Sequence, residues 1–193
     1  MLATNNATKT AAMYTERLAR FGVAVPPAQI LTSAEATASY LAEQYPPGAT
    51  AYVVGAQGLH DAVLARGFQT IGPAAVRAGA TAAFVVVGLS PAVTYEELAM
   101  ASLLVQHGVP FIGTNPDPTF PSELGPLPGA GALLAVISTA TGIQPTIIGK
   151  PGPIVFQEAI KRLGGDRETV AMVGDRLSTD IYGAKAAGLR AIL

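Results

Sequence analysis

The sequence predicts an α/β protein built on parallel strands, and three observations carry that prediction. Short β-branched or apolar runs alternate with helix-period segments along the whole chain. Half of the 193 residues are apolar and only 13% are charged, a balance that suits strands buried on both faces. Polar, glycine-bearing loops follow several of the runs, where the carboxyl ends of parallel strands present ligand sites.

The elements follow in order. Leu2 to Asn5 reads as a strand stub. Ala11, Tyr14, Leu18 and Phe21 recur at helical spacing, so a helix begins near Thr10 and ends at Gly22 and Pro26-Pro27. Gln29 to Thr32 is a short buried strand, and Thr32 with Glu35 forms a capping box for the helix that Pro46-Pro47-Gly48 stops. Ala51 to Val54 and Ala82 to Val87 are interior strands, with a helix over Leu59 to Ala65 between them. Thr94 and Glu97 cap a further helix that closes at His107 and Gly108. Pro110 to Gly113 is a strand leading to the turn Thr114-Asn115-Pro116-Asp117, and Thr146 to Ile148 leads to Gly149-Lys150-Pro151. A helix carrying Phe156, Ile160 and Leu163 follows, then a buried strand over Thr169 to Val173. A helix over Ser178 to Ala187 precedes Arg190 to Leu193, which reads as the start of another strand.

Composition narrows the functional classes. A formal charge of −1 with no basic run excludes an electrostatic nucleic-acid footprint. The absence of cysteine removes disulfides and thiolate metal sites, and two histidines are too few for a histidine-rich centre. No secretion signal is visible, and the apolar run from Gly129 to Ile137 is too short to cross a bilayer, so a cytoplasmic protein with no membrane partner is expected.

Asp175 and Asp180 are the leading candidates for chemistry. Asp175 lies just past a strand after Gly174, and Asp180 sits in the first turn of the next helix. Together they offer the carboxylate oxygens that Mg²⁺ prefers; equally, Asp180 could only favour a helix N-terminus and Asp175 only occupy a loop. Lys150, held between Gly149 and Pro151, suits a phosphoryl group at a strand tip, or is simply a surface lysine. Thr4, Asn5 and Asn6 can hydrogen-bond anionic oxygens, or are ordinary turn residues. Pro128-Gly129-Ala130-Gly131 lacks the ending of a phosphate loop and suits tight packing at a helix start. His60 and His107 have no partner spacing and read as structural.

Taken together, these segments resemble the haloacid-dehalogenase-like phosphatases, in the NagD / para-nitrophenyl-phosphatase-like branch with a large α/β cap (subfamily IIA, C2-type). The resemblance runs over essentially the whole chain. Leu2 to Thr10 matches the second family motif, and it implies that Thr4 and Asn5 contact the phosphoryl group. Gly149-Lys150-Pro151 matches the third, with Lys150 stabilising phosphoryl oxygens, and Gly174 to Asp180 matches the fourth. There the resemblance makes Asp175 the Mg²⁺ ligand and Asp180 the residue that orients a metal-bound water or Lys150. It implies a Rossmann-like core over residues 1–46 and 144–193, with an inserted α/β cap over residues 47–143. It also implies hydrolysis of a small phosphorylated metabolite through an aspartyl-phosphate, and a possible homodimer through the cap. Sugar phosphates, nucleotides, phosphoglycolate, pyridoxal phosphate and glycerol phosphate all remain open as substrates.

The family places its nucleophile and general acid in an Asp-x-Asp-Gly segment on a central first strand, and the sequence contains no such segment. Asp61, Asp117 and Asp166 lack that context. An incomplete core with its first strand missing is therefore expected, truncated at both ends and without catalytic activity. The alternative is a non-catalytic member that binds a phosphometabolite or a protein partner.

Overall fold

The computed structural model describes residues 1–193. Strand β1 (Leu2–Thr4) leads through a polar loop to helix α1 (Ala11–Ala19), which Thr10 caps by accepting the Met13 N–H. A short 3-10 turn at Pro27–Gln29 precedes β2 (Ile30–Thr32), and α2 (Ser33–Gln44) follows directly. The next strands are β3 (Thr50–Val54) and β4 (Gln69–Ile71), separated by α3 (Gln57–Ala65). After α4 (Pro73–Arg77) come β5 (Phe84–Val87), α5 (Tyr95–Gln106) and β6 (Phe111–Gly113). An antiparallel hairpin of β7 (Thr119–Ser122) and β8 (Gly125–Pro128) leads into α6 (Ala130–Thr141). The chain closes with β9 (Thr146–Ile147), α7 (Pro153–Leu163), β10 (Ala171–Val173), α8 (Tyr182–Ala186) and β11 (Arg190–Ile192).

The largest sheet is all parallel, in the order β4-β3-β5-β6-β9. Its interior strands β3, β5 and β6 are buried on both faces, which explains their continuous apolar runs. Val53, Phe84, Val86 and Ile112 pack with Leu59 and Val63 of α3 and with Leu31, Leu41 and Phe156 of the other layer. Tyr52, Val85, Val87 and Phe111 face the opposite way, against Leu104 and Val105 of α5 and Leu134 and Ile137 of α6. One sheet therefore carries two cores, and the first of them joins it to a second α/β layer.

That α/β layer contains two parallel strand pairs, β1 with β2 and β10 with β11. The expectation of a core with its first strand missing is overturned at the N-terminus. Leu2–Thr4 forms a first strand, in full three-residue register with Ile30–Thr32. A stub too short to hold alone is stabilised by pairing with a neighbour whose three residues are all buried. The β1-β2 and β10-β11 pairs are separate sheets. Leu2 and Val173 are 46% and 69% exposed on them, so the expected burial of Thr169–Val173 is corrected as well.

Other differences have local causes. The first helix stops at Ala19, and Phe21, expected on its buried face, is 73% exposed. The capping box at Thr94 and Glu97 forms completely. At Thr32 only half of it forms, because Glu35 turns its carboxylate to Arg162 at 3.0 Å. The β4 strand, α4 and the β7-β8 hairpin carry too little apolar periodicity to show in the sequence.

Two stability predictions follow from this packing. Tyr52 is buried and donates its hydroxyl to the Glu97 carbonyl at 3.0 Å. Burial first, and then the carboxylates of Glu97 and Glu96, push its phenol well above the ordinary value of 10.0. The unfolded chain ionises there first, so this contribution is full below that pH and is lost as pH rises beyond it. Melting temperatures recorded from pH 8 to 11 are expected to fall in that range, and to fall less steeply for Tyr52→Phe. Exposed apolar strand residues invite pairing with other chains, so Val173→Lys is expected to lower self-association in sedimentation velocity at rising concentration without lowering the melting temperature.

Candidate active site

The loops after β1, β6, β9 and β10 converge on one cavity of about 310 Å³. Thr4, Asn5, Lys150, Asp175 and Asp180 all line it, so residues separated by up to 176 positions are brought together. Tyr14, Asn115, Asp117 and Arg176 complete its polar wall, while Leu89, Phe120 and Pro121 supply an apolar side.

Lys150 is the centre of the site. It is 8% exposed, and its ammonium donates to Asp180 Oδ1 at 2.7 Å and to the Ala3 carbonyl at 3.2 Å. An ammonium has three protons to give, so one remains for a ligand in the cavity. Asp180 is 4% exposed, and its Oδ2 also accepts the Arg176 backbone N–H at 3.2 Å. A single π-helical turn at Leu177–Ile181 sets it there; such turns recur where a side chain must be aimed. Two charges withdrawn from water are costly unless they are paired and hydrogen-bonded, and here only the third ammonium proton lacks a partner within the chain.

Asn5 uses its whole carboxamide on protein groups. Its Oδ1 accepts the Lys150 backbone N–H at 2.8 Å, while Nδ2 donates to the Lys150 carbonyl at 2.8 Å and to Asp117 Oδ2 at 3.1 Å. The amide thus pairs with Lys150 as a neighbouring strand would. Its backbone carbonyl accepts from Asn115 Nδ2 at 2.7 Å and from the Ser33 hydroxyl. The Thr4 hydroxyl accepts the Asn6 N–H at 3.2 Å and lies beside the Tyr14 phenol on the cavity wall. Asn6 turns inward on its own loop, accepting from the N–H and hydroxyl of Thr8, both at 2.7 Å. Burial raises the Tyr14 phenol above its usual range against the opposing pull of a hydrogen bond with Thr4 and of Arg17, so it stays protonated at the cavity wall.

Asp175 is exposed and its carboxylate has no partner within the chain. No three histidine, aspartate or glutamate side chains are close enough together to hold a metal ion by themselves. Mg²⁺, however, is commonly held by one or two carboxylates together with waters and substrate phosphate. Asp175 fits that role, with Asp180 committed to Lys150.

Sequence reasoning passed over Asp117, Asn115, Tyr14 and Arg176 as site residues. The Thr114 to Asp117 turn was legible as a turn, but not as part of the cavity. Nothing local marks Asn115 as 4% exposed, or places Asp117 Oδ1 3.8 Å from Arg176 Nη1.

Two glycines are required by these approaches. A Cβ on Gly174 would stand 2.5 Å from Asp180 Oδ2, and one on Gly149 would stand 2.8 Å from Asn5 Oδ1. Gly174→Ala is therefore expected to displace Asp180 and to destabilise the fold by about 1–3 kcal/mol, measured by urea denaturation.

Comparison with known proteins agrees with this geometry. A family model described as haloacid dehalogenase-like hydrolase matches residues 4–188. An acid sugar phosphatase of Staphylococcus epidermidis is 43% identical over 189 residues, covering 98% of this chain and 70% of that protein. A double mutant of a thermostable NPPase from Geobacillus stearothermophilus superposes with a TM-score of 0.92 at 39% identity, over 99% of this chain and 74% of that one. A glycerol phosphate phosphatase of Mycobacterium tuberculosis, solved in complex with magnesium, gives 0.89 at 38% identity, over 98% of this chain and 56% of that one. These relatives belong to the NagD / para-nitrophenyl-phosphatase-like branch that the motifs indicated. They also correct the expectation of an inactive chain: the match to phosphatases runs nearly unbroken along it, and its motif loops are assembled around one cavity.

Proposed function

The chain belongs to the haloacid dehalogenase-like hydrolase family, and from that premise we propose that it is a Mg²⁺-dependent phosphatase acting on a small phosphate monoester. The observation that carries this reading is the buried Lys150–Asp180 pair, with one ammonium proton left for the cavity. Lys150 binds and stabilises a phosphoryl oxygen, and preorganised donors of this kind are effective because they need no rearrangement as charge develops. The Thr4 hydroxyl donates to a second oxygen. Asn5 belongs to the same set through its hold on the Lys150 backbone. Asp180 orients the ammonium. Mg²⁺, held by Asp175, would polarise the phosphoryl group as a Lewis acid. The sequence contains no Asp-x-Asp pair.

The division into a core of residues 1–46 and 144–193 and a C2-type cap of residues 47–143 is part of the same reading. Leu89, Phe120 and Pro121 form the wall that meets the alcohol portion of the ester. A modest apolar and polar mixture of this kind suits a metabolite a few carbons long.

The test is hydrolysis of p-nitrophenyl phosphate by the purified chain with and without Mg²⁺. Metal-dependent release of p-nitrophenol is expected. Lys150→Ala is expected to reduce it by roughly a hundredfold or more, and Asp175→Asn to raise the Mg²⁺ concentration needed for half-maximal rate. Release no faster than a buffer blank at saturating Mg²⁺ would overturn the proposal.

A further inference from the structure

We propose that Asp117 is a positioning residue for Lys150, acting through the Asn5 carboxamide; this inference rests on the phosphoryl-binding role given to Lys150 above. A carboxamide can sit either way round, and only one orientation serves Lys150. With the amide turned over, its oxygen would face the Lys150 carbonyl and its NH₂ would face the Lys150 N–H, two mismatches at once. Asp117 enforces the productive orientation because an ionised carboxylate accepts hydrogen bonds and cannot give one. Its Oδ2 takes the second Nδ2 proton of Asn5 at 3.1 Å, while the first goes to the Lys150 carbonyl at 2.8 Å.

Asp117 is itself held on two sides. Its backbone N–H donates to Asn115 Oδ1 at 3.1 Å, and the Asn115 amide in turn donates to the Asn5 carbonyl at 2.7 Å. Its Oδ1 lies 3.8 Å from Arg176 Nη1. The turn that leaves the cap sheet after β6 thus touches both halves of the site, Asn5 beneath Lys150 and Arg176 beside Asp175. Lys150 cannot shift without breaking the Asn5 clamp, and the clamp cannot turn while Asp117 is in place.

The positioning role and simple electrostatics predict opposite effects on anion binding. Asp117 is a negative charge on the wall of an anion site, so removing its charge alone should tighten binding. Removing its acceptor should weaken it. D117N keeps an oxygen acceptor for Asn5 Nδ2 and loses the charge, whereas D117A loses both. Orthophosphate is the probe, titrated by calorimetry into the full chain with Mg²⁺ present, and independent of turnover. D117N is expected to bind orthophosphate as tightly as the parent chain or more so, and D117A about tenfold more weakly than D117N. A second readout needs neither metal nor phosphate: acetylation of Lys150 by acetic anhydride in EDTA, quantified by mass spectrometry. It is expected to speed up in D117A and to stay at the parent rate in D117N.

Equal orthophosphate affinity in the two variants, with unchanged Lys150 acetylation, would overturn the proposal. So would an equal loss in both, which would assign Asp117 to charge or metal binding instead. Should D117A fail to fold, Asp117→Ser takes its place, since its hydroxyl is too short to reach Asn5. If Lys150→Ala leaves orthophosphate binding unchanged, the failure lies with the phosphoryl-site reading and not with Asp117.

Discussion

The rest of the site depends on one interaction, the buried pair between Lys150 and Asp180. An ammonium that is 8% exposed and a carboxylate that is 4% exposed are each costly to bury alone, and their pairing offsets that cost. Their surroundings are arranged to make the pairing possible. Gly174 has no side chain because Asp180 occupies the space, the π turn rotates Asp180 inward, and the Ala3 carbonyl takes a second proton from the ammonium. The pair also spans the molecule. Lys150 follows β9, an edge strand of the five-stranded sheet, whereas Asp180 follows β10 in the other layer.

That placement ties the site to the docking of the cap. The Gly58 N–H donates to the Thr8 carbonyl at 3.1 Å, and a Cβ on Gly58 would meet the Lys9 backbone at 2.7 Å. Helix α3 therefore lies directly against the loop that carries Thr4, Asn5 and Asn6. Ala7, at the centre of that loop, is 1% exposed and packs in the core shared by the two layers. Apolar packing of the cap and the geometry of the polar loop are one constraint.

The sequence made the site's chief residues legible because each stands beside a glycine or proline at the end of a strand. Gly149-Lys150-Pro151 and Gly174-Asp175 are local signals, and the structure puts Lys150 and Asp175 on the same cavity. The strand–helix alternation was equally readable, since buried parallel strands leave long apolar runs. What stayed hidden was long-range. Asn5 could be read as a phosphoryl contact, but its carboxamide is committed to a partner 145 positions away. Asp117 lies 112 positions from Asn5, and no spacing rule connects them. The N-terminal strand is a related case: pairing of Leu2–Thr4 with Ile30–Thr32 adds stability that a three-residue stub does not display by itself. Val173 erred in the other direction, because an apolar residue in a strand is buried only where a neighbour covers it.

The charge balance of the cavity bears on why a divalent cation belongs in it. Lys150 and Arg176 bring two positive charges, and Asp117, Asp175 and Asp180 bring three negative ones. Lys150 is already opposed by Asp180, and Arg176 approaches Asp117. The side chains alone therefore present a slightly negative surface to a phosphate monoester, which is itself an anion. Like charges at such distances repel more strongly in a partly desolvated site than in water. Additional positive charge is needed before the ester can settle against Lys150, and Asp175 is the one carboxylate with no protein partner to offer for it. On this account the metal does more than polarise the bound ester. In the proposed phosphatase it would turn a site that repels its ligand into one that attracts it, so Mg²⁺ and phosphate should bind with positive linkage, each strengthening the other.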